Sequence, residues 1–333
     1  MSLDAPSRPA EVAAASAATA EAAAGSRRAA RRAARGARRR EADARGFTSG
    51  HDLRRPNVLW TRRVLNALVL VGLVVVALGP LLWLAKAAIT PTQDTLRNPM
   101  ALFPNGTDWA NLTTAWVDLN LGLYFVNTIV IALGSWLTQM VVATTGGYVL
   151  AIVRPRYGKV LYGLVLATLF VPTVVLLVPL YLTVLDVPFV HVSLLNTFWG
   201  AFLPAGASAF NVVLVKRFLD NLPREIIEAA RVDGAGPFRL FVSIVLPMSR
   251  PILGVVSVFA VLAAWKDFLW PLLVLPDPEL QPLSVRLPTL APKTELDVFL
   301  AALLLSTAVP IAFFLLFQRF FLRGGGLGGA VKG

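Results

Sequence analysis

From residue 64 onward the chain alternates long apolar runs with short polar segments. A helix needs about 20 residues to cross about 30 Å of hydrocarbon. Six runs are long enough: 64–85, 119–153, 160–185, 187–215, 251–275 and 298–318. The first four contain no Asp, Glu, Lys or Arg, and the fifth is broken only by Lys266 and Asp267. The second exceeds what one crossing needs, so its start belongs outside the hydrocarbon. The expected spans are about 64–87, 122–152, 160–184, 194–216, 251–275 and 298–320. These runs are apolar nearly all round, so their periodicity does not say which face packs inward.

Composition agrees with the pattern. Hydrophobic residues make up 56% and charged residues 15%, against about 25% charged in an ordinary soluble domain. This excludes an ordinary soluble enzyme and a disordered chain. The fold class expected is all-α integral membrane, with six transmembrane helices. The net charge of +12 is unevenly placed. Residues 1–63 hold 14 Arg and 6 acidic residues in an Ala/Arg-rich stretch centred on Ser26 to Arg40. This stretch reads as a disordered cytoplasmic tail that touches anionic lipid headgroups. It lacks interleaved aromatics, which argues against nucleic acid. The rest, 64–333, reads as one six-helix domain.

Lys and Arg set the orientation. With the N-terminus inside, the cytoplasmic segments hold 26 basic residues and the outer segments hold 3, Arg97, Arg286 and Lys293. Without the tail the split is still 12 to 3. Both termini are therefore expected in the cytoplasm. Arg62-Arg63 then flanks an uncleaved first helix rather than a signal peptide.

The sequence offers little to a catalyst. There are no cysteines and only two histidines, His51 and His191. No zinc, haem or thiolate site is expected, and no paired-carboxylate constellation occurs. No Gly-Lys-Ser/Thr phosphate loop occurs either, so energy must come from another subunit.

The most informative segment is 220–251, the long cytoplasmic loop between the fourth and fifth spans. It reads as two short helices around a turn. Pro223 suits a first helical position, Glu225 the first turn and Arg231 the last. Asp233-Gly234 ends that helix, with Gly234 free to take a positive φ. Pro237 opens a second helix with Phe238, Phe241 and Ile244-Val245 on one face. Pro247 should stop it, and Pro251 opens the fifth span.

The exact spacing says more. Glu228-Ala229-Ala230, three residues, Gly234, nine residues, Ile244, one residue and Leu246-Pro247 resembles the EAA loop. That loop marks the permease subunits of binding-protein-dependent ABC importers, and it falls between the fourth and fifth spans. Residues from about 64 to 333 resemble the carbohydrate, maltose-type branch. Pro80, Trp83, Lys86, Pro91 and Pro104 match its first outer segment. Asn127-Thr128, Arg154 to Lys159, Pro172, Pro179-Leu180-Tyr181, Trp265 and Trp270-Pro271 are similar to later parts. The ending Gly328-Gly329-Ala330-Val331-Lys332-Gly333 resembles the branch's C-terminus.

The resemblance implies a type I importer permease fold and half of a translocation pathway. Glu228, Ala229, Ala230, Asp233, Gly234, Ile244, Leu246 and Pro247 would grip an ATPase. The partners implied are a second permease in a heterodimeric pair, two ATPase subunits and an extracytoplasmic sugar-binding protein. ATP and Mg would sit on the ATPase, with no cofactor on this chain. The location implied is a bacterial cytoplasmic membrane. The chain departs from the family in its Ala/Arg tail and at Lys266, where a neutral residue such as Asn is expected.

Asn127, Trp265, Lys266, Asp267 and Trp270 are candidates for the translocation path. Charges inside a span are costly and so point to function. Asp267 would accept sugar hydroxyls. Lys266 and Trp270, four residues apart, would stack as cation and ring. Pro271 weakens the helix near Asp267. Tying the helix to a neighbour is the competing role. Gly146-Gly147 suits close helix contact. Two other functions compete with a sugar importer. One is the same machine carrying an amino acid, peptide, polyamine or phosphonate. The other is a stand-alone secondary transporter, whose internal repeats are not seen.

Overall fold

The computed structural model describes residues 56–324 apart from 102 and 104. The Arg-rich segment before Pro56 and the Gly-rich end after Gly324 lie outside the described residues. Helix α1 runs over Pro56–Ala88. It starts eight residues before the first apolar run, so 56–63 is helical rather than tail. The described chain divides into two units inside this helix, 56–79 and 80–324. Every element after α1 belongs to the second unit.

A short helix α2 (Thr92–Arg97) begins after Pro91, and α3 covers Ala110–Val117. The central helix α4, Leu121–Tyr148, starts at Asn120, whose φ is 52°. It widens to a π turn at Val149–Val153. The helix begins two residues after the start of the 119–153 run. Buried on α4 are Asn127, Thr128, Ser135, Gln139 and Thr144. A buried polar group without a partner is costly, and Asn127, Thr128, Gln139 and Thr144 each have one. Thr128 and Thr144 donate to the carbonyls four residues earlier, at 2.7 Å each. Gln139 accepts from the Asn211 amide at 2.6 Å.

Among the described residues, three helices are long and apolar enough to cross a membrane alone: Trp60–Ala88, Leu121–Val153 and Leu296–Leu316. Three more runs qualify only as bent pairs. The third expected span divides into α5 (Gly158–Thr168) and α6 (Thr173–Leu185), at 107° to each other. A straight helix over 160–184 is therefore corrected. Pro172 has no N–H, and it restrains Val171 away from helical geometry. Its own ψ of 130° is extended.

The fourth run comprises α7 (Phe198–Phe202), a 3-10 turn Pro204–Ala207 and α8 (Ala209–Asp220). It bends by 44° at Ser208 and continues to Asp220, past the expected end at 216. The loop helices follow as α9 (Arg224–Val232), α10 (Pro237–Leu240), a π turn Phe241–Val245 and α11 (Leu246–Met248). The segment Pro237–Met248 lies at 78° to α12 (Arg250–Lys266). Beyond α12 come α13 (Leu269–Val274), α14 (Leu283–Leu290) and α15 (Leu296–Gly324).

Helix α4 packs against α8 and α12, and α15 packs against α12 and α3. The α4–α8 contact explains the paired glycines. A Cβ on Gly147 would stand 2.7 Å from Val215 Cγ1, and one on Gly146 3.3 Å from Val212 Cγ1. Two apolar clusters join these elements. One joins Ala88, Leu121, Phe125, Leu287 and Ala301. The other joins Ile131, Val184, Ala201, Trp270 and Leu275. A third fastens the 220–251 loop to the helix ends.

Candidate functional site

The 220–251 loop is built from local rules and then fastened down. Pro223 is the residue before α9, with ψ 121°, so it sits one position earlier than expected. Glu225 lies in the first turn and Arg231 in the last, which suits the helix dipole. Asp233 caps the helix, and Gly234 has φ +78°. The Gly234 N–H donates to the Arg231 carbonyl at 3.1 Å, and the Ala235 N–H to Ala230 at 2.9 Å. These two bonds form a Schellman ending. Ala235 packs against the cluster containing Ala230.

Pro237 occupies the first turn of α10. The turn then widens to π form just before Pro247, whose ring cannot sit against the carbonyl four residues earlier. Pro247 lies inside α11, and the chain turns at buried Ser249 instead. The Ser249 hydroxyl donates to the Val245 carbonyl at 2.6 Å. The inward face carries Leu240 and Val245, with Phe241 and Ile244 half-buried. Phe238 is 79% exposed and does not share that face. The π turn shifts the register that a regular helix would have kept.

The cluster under the loop contains Tyr148, Leu150 and Ala151 from α4 and its π turn. It also contains Val215 and Leu219 from α8, Ile227 and Ala230 from α9, and Leu240, Val245 and Val256. Polar ties reinforce it. Arg231 donates to the Ile152 carbonyl at 3.2 Å, and the Tyr148 hydroxyl to the Pro237 carbonyl at 2.8 Å. Arg154, with φ 52°, ends the π turn and donates to the Ala151 carbonyl at 2.6 Å. Asp220 receives Arg154 at 3.5 Å and Lys216 at 2.6 Å. Sequence reasoning missed the Tyr148, Asp220 and Lys216 contacts. Each joins residues whose nearness only the fold creates, apart from Lys216–Asp220 at i, i+4.

Outward from this base stand Glu228 and Ala229, both exposed, with Ile226, Val232 and Phe238. Glu228 makes no ion pair among the described residues. It borders a cleft of about 150 Å³ shared with Arg154, Asp220, Arg224 and Arg231. The loop thus presents the Glu228 carboxylate and the small Ala229 beside exposed apolar side chains, and its apolar cluster joins it to α4, α8 and α12. Glu228, Ala229, Ala230, Asp233, Gly234, Ile244, Leu246 and Pro247 all belong to this one body, although Ala230 faces inward.

The path candidates do not form one cluster. Asn127 is buried and donates to the Glu279 and Gln281 carbonyls at 2.6 and 3.1 Å. Trp270 is buried and its indole N–H donates to the Gly200 carbonyl at 3.1 Å. Trp265 packs near Phe125 at 6.2 Å between centroids. It also borders an apolar hollow with Ile129, Leu133 and Pro310. Asn127 and Trp270 thus tie separate elements together, and Trp265 packs beside the hollow.

The break expected from Pro271 is present. Helix α12 ends at Lys266, and Asp267 is extended with ψ 118°. The freed Asp267 carbonyl accepts from the Ser284 hydroxyl at 2.6 Å, and Oδ1 accepts from the Trp270 N–H at 3.4 Å. The break removes the i, i+4 relation, so the expected Lys266–Trp270 stack is not formed. Lys266 remains exposed.

The model of the family described as "Binding-protein-dependent transport system inner membrane component" matches residues 143–324. The chain belongs to this family. It is a multi-pass membrane permease component. One relative is the diacetylchitobiose uptake system permease protein NgcG of Streptomyces coelicolor, 30% identical over 251 residues. That match covers 74% of this chain and 81% of the relative. The sn-glycerol-3-phosphate transport system permease protein UgpE of Pectobacterium atrosepticum is 29% identical, covering 78% and 94%. The arabinooligosaccharides transport system permease protein AraQ of Halalkalibacterium halodurans is 28% identical, covering 82% and 99%. A chain from a bacterial ABC transporter that imports the acidic polysaccharide alginate matches in fold with a TM-score of 0.69. It is 21% identical and covers 83% of this chain and 99% of that one.

Proposed function

We propose that this chain is one permease of an ATP-driven, binding-protein-dependent importer of sugars, and that loop 220–251 couples it to an ATPase. The bent pairs α5–α6 and α7–α8 are each read as one crossing, Pro237–Met248 is left in the loop, and the fifth crossing is formed by α12 and α13. Six crossings then place both termini in the cytoplasm of a bacterial cell, in agreement with the distribution of Lys and Arg. The proposed assembly contains a second permease, two ATPase subunits carrying ATP and Mg, and an extracytoplasmic binding protein. The cargo reading is supported by relatives that carry diacetylchitobiose and arabinooligosaccharides.

One observation carries the coupling role. The loop is joined to the cytoplasmic ends of α4, α8 and α12 by a single apolar cluster, while Glu228 and Ala229 face outward. A knob fixed in this way moves with the spans as a rigid body. Closure of the ATPase pair would pull the knob, and the spans would follow from inward-open to outward-open. Ala229 leaves room for a groove, and Glu228 offers its charge to a basic partner.

The test is gentle affinity purification from native membranes, with mass spectrometry of what accompanies the chain. An ATPase and a second permease should be recovered, and Glu228→Lys should remove the ATPase. A chain recovered alone, stable and moving solute without ATP would overturn the importer reading in favour of a secondary transporter. An accompanying binding protein that held amino acids or polyamines but no sugar would overturn the cargo reading alone.

A further inference from the structure

Lys266 is the last residue of α12 and is exposed on the same face as Phe259 and Ala263, at i, i+4 and i+7. Sixteen residues separate it from Arg250, so at about 1.5 Å per residue it stands about 24 Å up the helix. That height lies within about 30 Å of hydrocarbon. An ammonium facing acyl chains there is costly, so it calls for water or a counter-charge. The adjacent acid does not supply one. Asp267 is half-buried, and its Oδ1 accepts the Trp270 N–H. Lys266 makes no ion pair among the described residues. It lies in the last turn of α12, where its charge offsets the free carbonyls of the helix end. The Asp267 carbonyl is already held by Ser284.

We infer that Lys266 is the counter-charge for an oxyanion on the imported solute, a carboxylate or phosphate borne by a polyhydroxylated molecule. This rests on the reading that the fifth crossing lines the path. A neutral sugar would be served by a neutral polar side chain at this point. Lys266 instead gives the path a fixed positive potential in its outer half, in surroundings where a charge is weakly screened.

The chain contains no cysteine, so Ala263→Cys creates a unique reporter one turn from Lys266. Membranes holding the assembled complex would be treated with an anionic (sulfonatoethyl) or a cationic (trimethylammonioethyl) methanethiosulfonate. Labelling would be read on this chain by mass. The ratio of anionic to cationic rates, normalised to a free thiol, should be raised about threefold or more. Lys266→Gln should return it to unity, and Lys266→Arg should keep it. Added sn-glycerol 3-phosphate, glucuronate and maltose are compared at equal ionic strength. Slowing by the first points to phosphate cargo, and slowing by the second to carboxylate cargo. No labelling, a ratio unaffected by Lys266→Gln, or slowing no greater with either anion than with maltose would overturn the proposal. So would loss of the second permease on Lys266→Gln, because Lys266 would then be a subunit contact. Recovery of the ATPase is scored in the same membranes, so failure of the importer reading is seen separately.

Discussion

At Gly234 a single dihedral angle decides the form of the loop. Its φ of +78° places it in the left-handed region, and a Cβ there would meet nothing within 4 Å. Any effect of substitution is therefore backbone strain and not a clash. A β-branched residue in that region costs about 1–2 kcal/mol, whereas Asn tolerates it. Gly234→Val should lower recovery of the ATPase on affinity purification by roughly tenfold, and Gly234→Asn should leave it near normal. Equal recovery from both variants would mean that the turn is not what orients the knob. This residue was legible from the sequence because its reason is local. Asn127 and Trp270 were not, because their partners are carbonyls at least seventy residues away. Both drew notice as polar or aromatic groups in an apolar run, and both proved to be ties between elements.

Among the elements, the apolar runs fixed where the chain can cross but said little about its bends. Pro271 and Pro172 carry similar local signals. One produces a short break before α13. The other accompanies a turn of 107° between α5 and α6. The angle follows from what each half packs against, which periodicity does not encode. The break at Asp267 is stabilised across elements. Pro271 cannot donate to the Asp267 carbonyl, and Ser284 of α14 donates to it instead. Ser284→Ala should therefore lower thermal stability in detergent by about 1–3 kcal/mol. In a Pro271→Ala background the restored N–H can take the same carbonyl, so the second substitution should cost much less. Additive losses in this double-mutant cycle would show that the two residues act independently.

For the whole molecule, the charge distribution and the loop position must agree, since the loop reaches an ATPase only from the cytoplasm. The basic residues after position 63 already favour that side by 12 to 3. Long N-terminal segments also count less in setting orientation than charges close to the spans. Deleting residues 1–45 removes ten Arg but keeps Arg54 and Arg55 just before α1 in sequence and Arg62 and Arg63 within it. The truncated chain should insert the same way round. Ser193→Cys, in the segment between α6 and α7, provides a unique thiol for a membrane-impermeant maleimide. Intact cells, with any outer membrane permeabilised, should label it equally in the full and truncated chains. Pull-down of the ATPase should also be unchanged. Labelling of the truncated chain only after the inner membrane is opened would assign orientation to the tail. The Arg-rich segment would then be a topological determinant rather than a lipid-touching arm.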